Sequence, residues 1–329
     1  MLAMRGIPVT HATLANYEKG VTFPSMATVR ALAGIYKRQV EWFLTMGPTL
    51  TGMRYRCLKS VRASEKQIFE GNASAWFQIY VELENILGLQ GKPRTFAVKP
   101  GESDRAAAER LRRDLGIGTQ PLPSMIQLLE QYGLRVIQVD SAARIDGFAA
   151  WFGSAAVVAL NSMLPNDRIR FNAGHELRHY FFDDCKDNGE ELDEDEKQAH
   201  EFSSHLLMPE AVLKEAFEAE SMIRLVQFKE RYGISLAAMI YRARASGIIS
   251  ESMYVRLWRD FSRLGWRKDE PGQVRPDRPR RMEELIELAV SQGKVSYGDV
   301  ARLGGLDEAA VRQRVLVAMG GEAPRKETL

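Results

Sequence analysis

Residues 171–182 read FNAGHELRHYFF, and within them His175-Glu176-Leu177-Arg178-His179 forms the pattern H-E-x-x-H. Residues i and i+4 share one face of a helix. Two imidazoles at that spacing can ligate one zinc ion, while the intervening Glu176 can act as general base on a water held by the metal. The flanks place the pattern inside a helix: Asn166 is the expected N-cap and Asp167 falls in the first turn. Ile169, Ala173, Leu177 and Tyr180 make one apolar stripe, which leaves His175 and His179 on another side, free to face a cleft.

A catalytic zinc takes three protein ligands and keeps a fourth position for water. The third ligand is expected downstream, in DEDEKQAHEFSSHLLMPE (193–210). Ala199, Phe202, Leu206 and Leu207 form the apolar face of that helix, and Asp195 and Glu196 flank it about equally, with His200 one turn after Glu196 as a rival. Acids crowd this stretch: nine lie between Asp183 and Glu196 against the single base Lys186. Most of them read as a solvated loop.

Working outward, Ser103 should cap a helix through Arg113, and residues 123–132 a second helix ending near Gly133. LRVIQV (134–139) reads as a strand. GFAAWF (147–152) and AAVVAL (155–160) read as a hairpin about Gly153-Ser154. Helical patterns follow at 167–183 and 195–207. The expected organisation is a helical segment at 1–47, a connecting helix and linker at 48–100, the main α+β domain at 101–250, a basic Pro/Arg-rich linker at 251–281, a helical module at 282–318 and a loose tail at 319–329. In the helical module, Ser296 and Asp307 are the expected caps.

The combination of His175 to His179, then Glu196, Ala199 and Phe202, then Leu206-Leu207-Met208-Pro209 resembles the ImmA/IrrE metallopeptidases, as do Arg170-Phe171 and Asp146-Gly147-Phe148. The resemblance covers about 101–215. It implies a zincin-like domain, a small sheet plus the H-E-x-x-H helix, within an α+β chain whose flanking modules are all-α and helix-turn-helix-like. It also implies that Glu196 is the third ligand. The family usually has Gly where this chain has Arg178, which is expected to alter how a peptide enters the cleft. His200, His205 and Tyr180 are candidates for stabilising the transition state, with an ordinary polar role as the alternative for each.

Met1 to Leu44 resembles a partial Cro/CI-type helix-turn-helix: THATLANYEKGVTFPS (10–25) carries Glu18, Gly20 and Pro24 at that family's spacing. The few residues ahead of it leave no room for the first helix and most of the second, which normally support the recognition helix, so a start upstream of Met1 or a degenerate element is expected. Thr10 could cap the recognition helix, whose first turns would enter the major groove. The resemblance implies that His11, Ala12, Thr13 and Asn16 face bases and that Lys19 contacts phosphate, which sets position rather than sequence. Residues 1–60 hold eight basic side chains against two acidic ones, which suits a phosphate backbone. A homodimer is implied, since such modules often read paired half-sites.

The whole chain of 329 residues has a net charge of +2, so only local charge can argue for nucleic acid. Its two cysteines, Cys57 and Cys185, make neither a disulfide scaffold nor a Cys-rich zinc site, in keeping with a cytoplasmic protein. The most apolar run, Gly147 to Leu160, is shorter than the roughly 20 residues of a membrane helix. No leader-like segment is expected at the N-terminus. The leading expectation is a zinc-dependent endopeptidase with a regulatory DNA-binding module, cleaving a helix-turn-helix repressor of stress-response or mobile-element genes. A transcription regulator with a non-catalytic peptidase-like domain is the second reading, and a zinc hydrolase of small molecules the third. Zn2+ is the expected ion, although His and carboxylate donors also accept Mn2+ or Fe2+.

Overall fold

The computed structural model describes residues 9–18, 20–36, 40–43, 48–57, 60–90, 94–182, 193–219 and 221–320. The chain divides into two compact units, one of residues 1–49, 74–90 and 280–329, the other of residues 50–73 and 91–279.

Thr10 starts the first helix, α1 (His11–Glu18), its Oγ1 accepting from the Thr13 backbone N–H at 3.1 Å. Ser25 caps α2 (Met26–Tyr36) in the same way through Thr28. Such caps satisfy donors that a first helical turn leaves unpaired. A strand, β1 (Leu50–Cys57), and a long helix, α3 (Ala63–Leu87), follow. Next come α4 (Asp104–Asp114), capped by Ser103, and α5 (Met125–Gln131), capped by Ser124. Then come β2 (Arg135–Val139), β3 (Ile145–Phe152) and β4 (Ala155–Asn161). α6 (Asn166–Phe181), α7 (Asp193–Leu207), α8 (Glu210–Phe217), α9 (Met222–Tyr232), α10 (Leu236–Ala245) and α11 (Glu251–Arg263) complete the α+β unit. The last helices are α12 (Arg281–Ser291), α13 (Tyr297–Gly304) and α14 (Glu308–Ala318).

The sheet order is β1-β3-β4-β2. β3 and β4 form the expected antiparallel hairpin, with Gly153 at φ 61° in its turn, and β2 lies parallel to β4. Gly147 allows β3 to approach β4 closely: a Cβ there would sit 2.4 Å from the Ala159 carbonyl oxygen. β1 pairs antiparallel with β3, placing Tyr55 opposite Phe148. This redraws the 48–100 segment, expected as connecting helix and linker, because its first residues join the sheet. The alternation of Met53, Tyr55 and Cys57 with Gly52, Arg54 and Arg56 is the period-two pattern that marks such a strand. Both β3 and β4 are interior, so neither offers a free edge, and the edges belong to β1 and β2.

α6 packs Ile169, Ala173 and Leu177 into the core, and α7 buries Ala199, Phe202, Leu206 and Leu207. The helices meet closely at Gly174, where a Cβ would lie 2.6 Å from Ser203 Oγ. Asn166 is the first residue of α6, one place inside the cap it was expected to be: Pro165 holds the cap position, and the Asn166 amide donates instead to the Val274 carbonyl at 2.9 Å. Proline's fixed φ suits entry into a helix. The last carbonyls of α7 are taken up by two buried arginines. Arg112 of α4 donates to the Leu206 oxygen at 2.5 Å, and Arg242 of α10 donates to the Ser204 oxygen at 2.7 Å and the Met208 oxygen at 2.5 Å. Cations there also answer the negative end of the helix dipole. Met208 is fully buried and Pro209 opens α8, which explains Leu-Leu-Met-Pro as a buried helix end followed by a new helix start.

Residues 251–281, expected as a linker, are part of the α+β unit up to residue 279. Leu257 and Phe261 of α11 are buried. Beyond it, Asp277 accepts from Ser124 Oγ at 2.5 Å and from the Met125 N–H at 2.7 Å, closing the N-terminus of α5. Arg170 donates to the same carboxylate at 2.6 Å and to the Leu122 oxygen at 2.6 Å. In the all-α unit, Ser296 and Asp299 form a reciprocal capping box and Asp307 caps α14. Met282, Ile286, Val300 and Val311 are buried there with Phe77 and Leu83 of α3. The two helical modules expected at opposite ends of the chain thus fall in one unit. Of the tail, residues 321–329 lie outside the described residues.

Candidate metal centre

One helical turn apart on α6, His175 Nε2 and His179 Nε2 are 3.0 Å from each other. Glu196 Oε1 of α7 lies 3.2 Å from the first and 3.5 Å from the second. Nitrogen and oxygen donors about 2 Å from a tetrahedral zinc stand roughly 3.3 Å apart. Three donors this close, from two imidazoles and a carboxylate, therefore fit a single divalent ion. Helical periodicity left Asp195, Glu196 and His200 open, and it is the Glu196 carboxylate that reaches both imidazoles. His200 stands near as well: one donor atom from each of His175, Glu196 and His200 lies within 4.8 Å of the others.

The electrostatics suit metal binding. Burial pushes the His175 imidazole down to about 3, Arg56 and His179 push the same way, and Glu196 opposes them. The ring is therefore neutral at ordinary pH, the form that ligates. For Glu196 burial favours the neutral acid, but hydrogen bonds and charge from His175 and His179 outweigh it and hold the carboxyl below its usual range.

Glu176 is buried and lines a pocket with Gly52 and Arg54 of β1, Trp151 of β3 and Tyr180. Tyr180, read as part of the inward stripe, is half-buried and opens onto this pocket. His205 is buried and its Nδ1 accepts from Arg242 at 3.2 Å, an interior polar role. Arg178 is also buried: it donates to Asp104 at 2.7 Å and to Gln198, and packs over the Phe182 ring. Its guanidinium thus ties α6 to α4 and α7.

The sequence reading missed Arg56 as a site residue. β1 carries it to α7, where Nη2 donates to His200 Nε2 at 2.9 Å. Its hydrogen-bond partner His200 lies 144 residues away in sequence, so no local spacing announces it. Of the expected DNA-facing residues, His11, Ala12, Thr13 and Asn16 lie on α1, while Lys19 lies outside the described residues, as does the acidic stretch 183–192.

Residues 129–244 match the family described as Peptidase_M78, the IrrE N-terminal-like domain. The match begins at the end of α5 and runs through α10, so it contains β2 to β4 and both helices of the histidine–glutamate cluster. The segment is thus similar to a peptidase-family domain, and its His/Glu cluster is compatible with a metallopeptidase. β1 and Arg56 lie outside the match. No curated protein matches the chain. Among the described residues, no helix is long and apolar enough to cross a membrane.

Proposed function

We propose that the protein is a cytoplasmic zinc-dependent endopeptidase joined to a DNA-binding module, and that it cleaves a helix-turn-helix repressor. The observation that carries this reading is the convergence of His175 Nε2, His179 Nε2 and Glu196 Oε1 within 3.5 Å of one another, one residue from the buried Glu176. His175, His179 and Glu196 would hold the ion. When bound, it would supply Lewis-acid polarisation of a peptide carbonyl and of a water. Glu176 takes the proton from the attacking water and later delivers it to the leaving amine. A peptide would lie extended along the outer edge of β1, since Gly52 and Arg54 share the Glu176 pocket. The helix-turn-helix resemblance supports a DNA-facing role for α1 in a homodimer, and the same resemblance points to the repressor as substrate.

The first measurement is metal per chain by elemental analysis on wild type, His179→Ala and Glu176→Gln. We expect about one zinc in wild type and Glu176→Gln and a large loss in His179→Ala, with repressor cleavage abolished in both variants. Unchanged cleavage in Glu176→Gln rejects the peptidase mechanism. Absence of metal from zinc-supplemented wild type favours a non-catalytic regulator.

A further inference from the structure

Arg56 stands in β1 with three quarters of its side chain covered, 24% remaining exposed. Its guanidinium has five N–H donors and no way to shed its charge. Nη2 donates to His200 Nε2 at 2.9 Å. Nε is 3.7 Å from Asp146 Oδ2, too far for a hydrogen bond, and Arg168 already donates to that carboxylate at 3.0 and 2.9 Å. Nη1 is buried with no hydrogen-bond partner among the described residues. An unmet buried donor is costly, more so on a charged group. Such a donor is accounted for when another molecule completes it. Burial disfavours the charge of this guanidinium, while the carboxylates of Glu176, Asp146 and Glu196 favour it. The Phe171 ring, 5.6 Å from the guanidinium carbon, covers one side.

We propose that Arg56 is a catalytic residue that stabilises the negative charge developing on the scissile carbonyl oxygen. This rests on the peptidase reading above. As the water oxygen bonds to the carbonyl carbon, its proton passes to Glu176 and the carbonyl π pair moves onto oxygen. A preplaced cationic N–H donor meets that new charge without reorganising. His200 acts as a positioning residue, accepting from Nη2 and so fixing the plane of the guanidinium. The competing account is that Arg56 only tethers β1 to α7.

Two probes of the full zinc-loaded chain separate these accounts. N-phosphoryl-Leu-Trp carries a tetrahedral anion that mimics the oxyanion, and acetohydroxamate binds zinc without one. We would measure affinity for both by calorimetry, together with metal per chain and melting temperature, for wild type, Arg56→Gln and Arg56→Lys. The expected result is unchanged metal and acetohydroxamate affinity in Arg56→Gln, with phosphoramidate bound about 100- to 1000-fold more weakly. Arg56→Lys, which keeps the charge and also serves if the Gln variant misfolds, should be intermediate. Equal phosphoramidate affinity in the variants, equal loss of both probes, or loss of metal overturns the assignment. A wild type that holds zinc but binds neither probe, or holds no zinc, sinks the peptidase reading instead.

Discussion

Arg178 falls in sequence between the two histidines of the motif; its guanidinium turns onto Asp104, and both side chains are buried, at 3% and 8% exposed. Removing one partner of such a pair leaves a charge without compensation, a loss of about 3–5 kcal/mol. Arg178→Leu should therefore lower stability by about 3 kcal/mol, and Arg178→Leu/Asp104→Leu should recover much of it. A urea titration showing no loss in the single variant would contradict this account. His205 contributes a pH dependence away from the metal centre. Burial pushes its imidazole down to about 3, with Arg242 and Arg105 adding to the shift and Glu210 opposing it. An unfolded histidine titrates near 6.5, so below that pH the unfolded chain takes up a proton that the folded one refuses. The His205 contribution is complete above about pH 6.5 and declines as the pH falls towards 3. The urea midpoint should then drop less between pH 7 and pH 4.5 in His205→Gln than in wild type. Equal drops would remove His205 from the acid response.

At the scale of elements, the sheet depends on Gly147 and the site depends on α7. Alanine at 147 would place Cβ 2.4 Å from a backbone oxygen of β4, and backbone cannot give way as a side-chain tip can. Gly147→Ala should force β3 away from β4 and cost about 1–3 kcal/mol, the range for overpacking. Because Asp146, the preceding residue, accepts from Arg168 and from Asn172 of α6, the same variant should loosen metal binding. Calorimetric melting and metal retention after dialysis would check both, and a melting point equal to wild type would refute the close-approach argument. The signals for α4 to α7 and for the hairpin are local: a serine before each of α4 and α5, apolar spacing along the helices, and Gly153 in the turn. β1 was legible only as a short alternation, because its pairing partner lies some ninety residues further along.

For the molecule as a whole, a net charge of +2 gives no general attraction to DNA, so affinity has to come from local basic excess, such as that of residues 1–60. Duplex binding followed by fluorescence anisotropy should fall steeply between 50 and 200 mM salt, with a logarithmic slope of about −0.9 per phosphate contact. Asn16→Ala should weaken binding to the preferred sequence more than to random DNA. Binding insensitive to salt would argue against α1 as a DNA-facing helix. The sequence by itself determined the α+β character, the H-E-x-x-H helix, the β3–β4 hairpin and most helix starts, since each is written in periodicity or in a capping residue a few positions away. Only the tertiary structure decided that Glu196 reaches both imidazoles, that Arg178 faces inward, that residues 251–279 belong to the α+β unit, and that β1 delivers Arg56. Those outcomes depend on packing between segments far apart in the chain, and such packing leaves no local pattern to read.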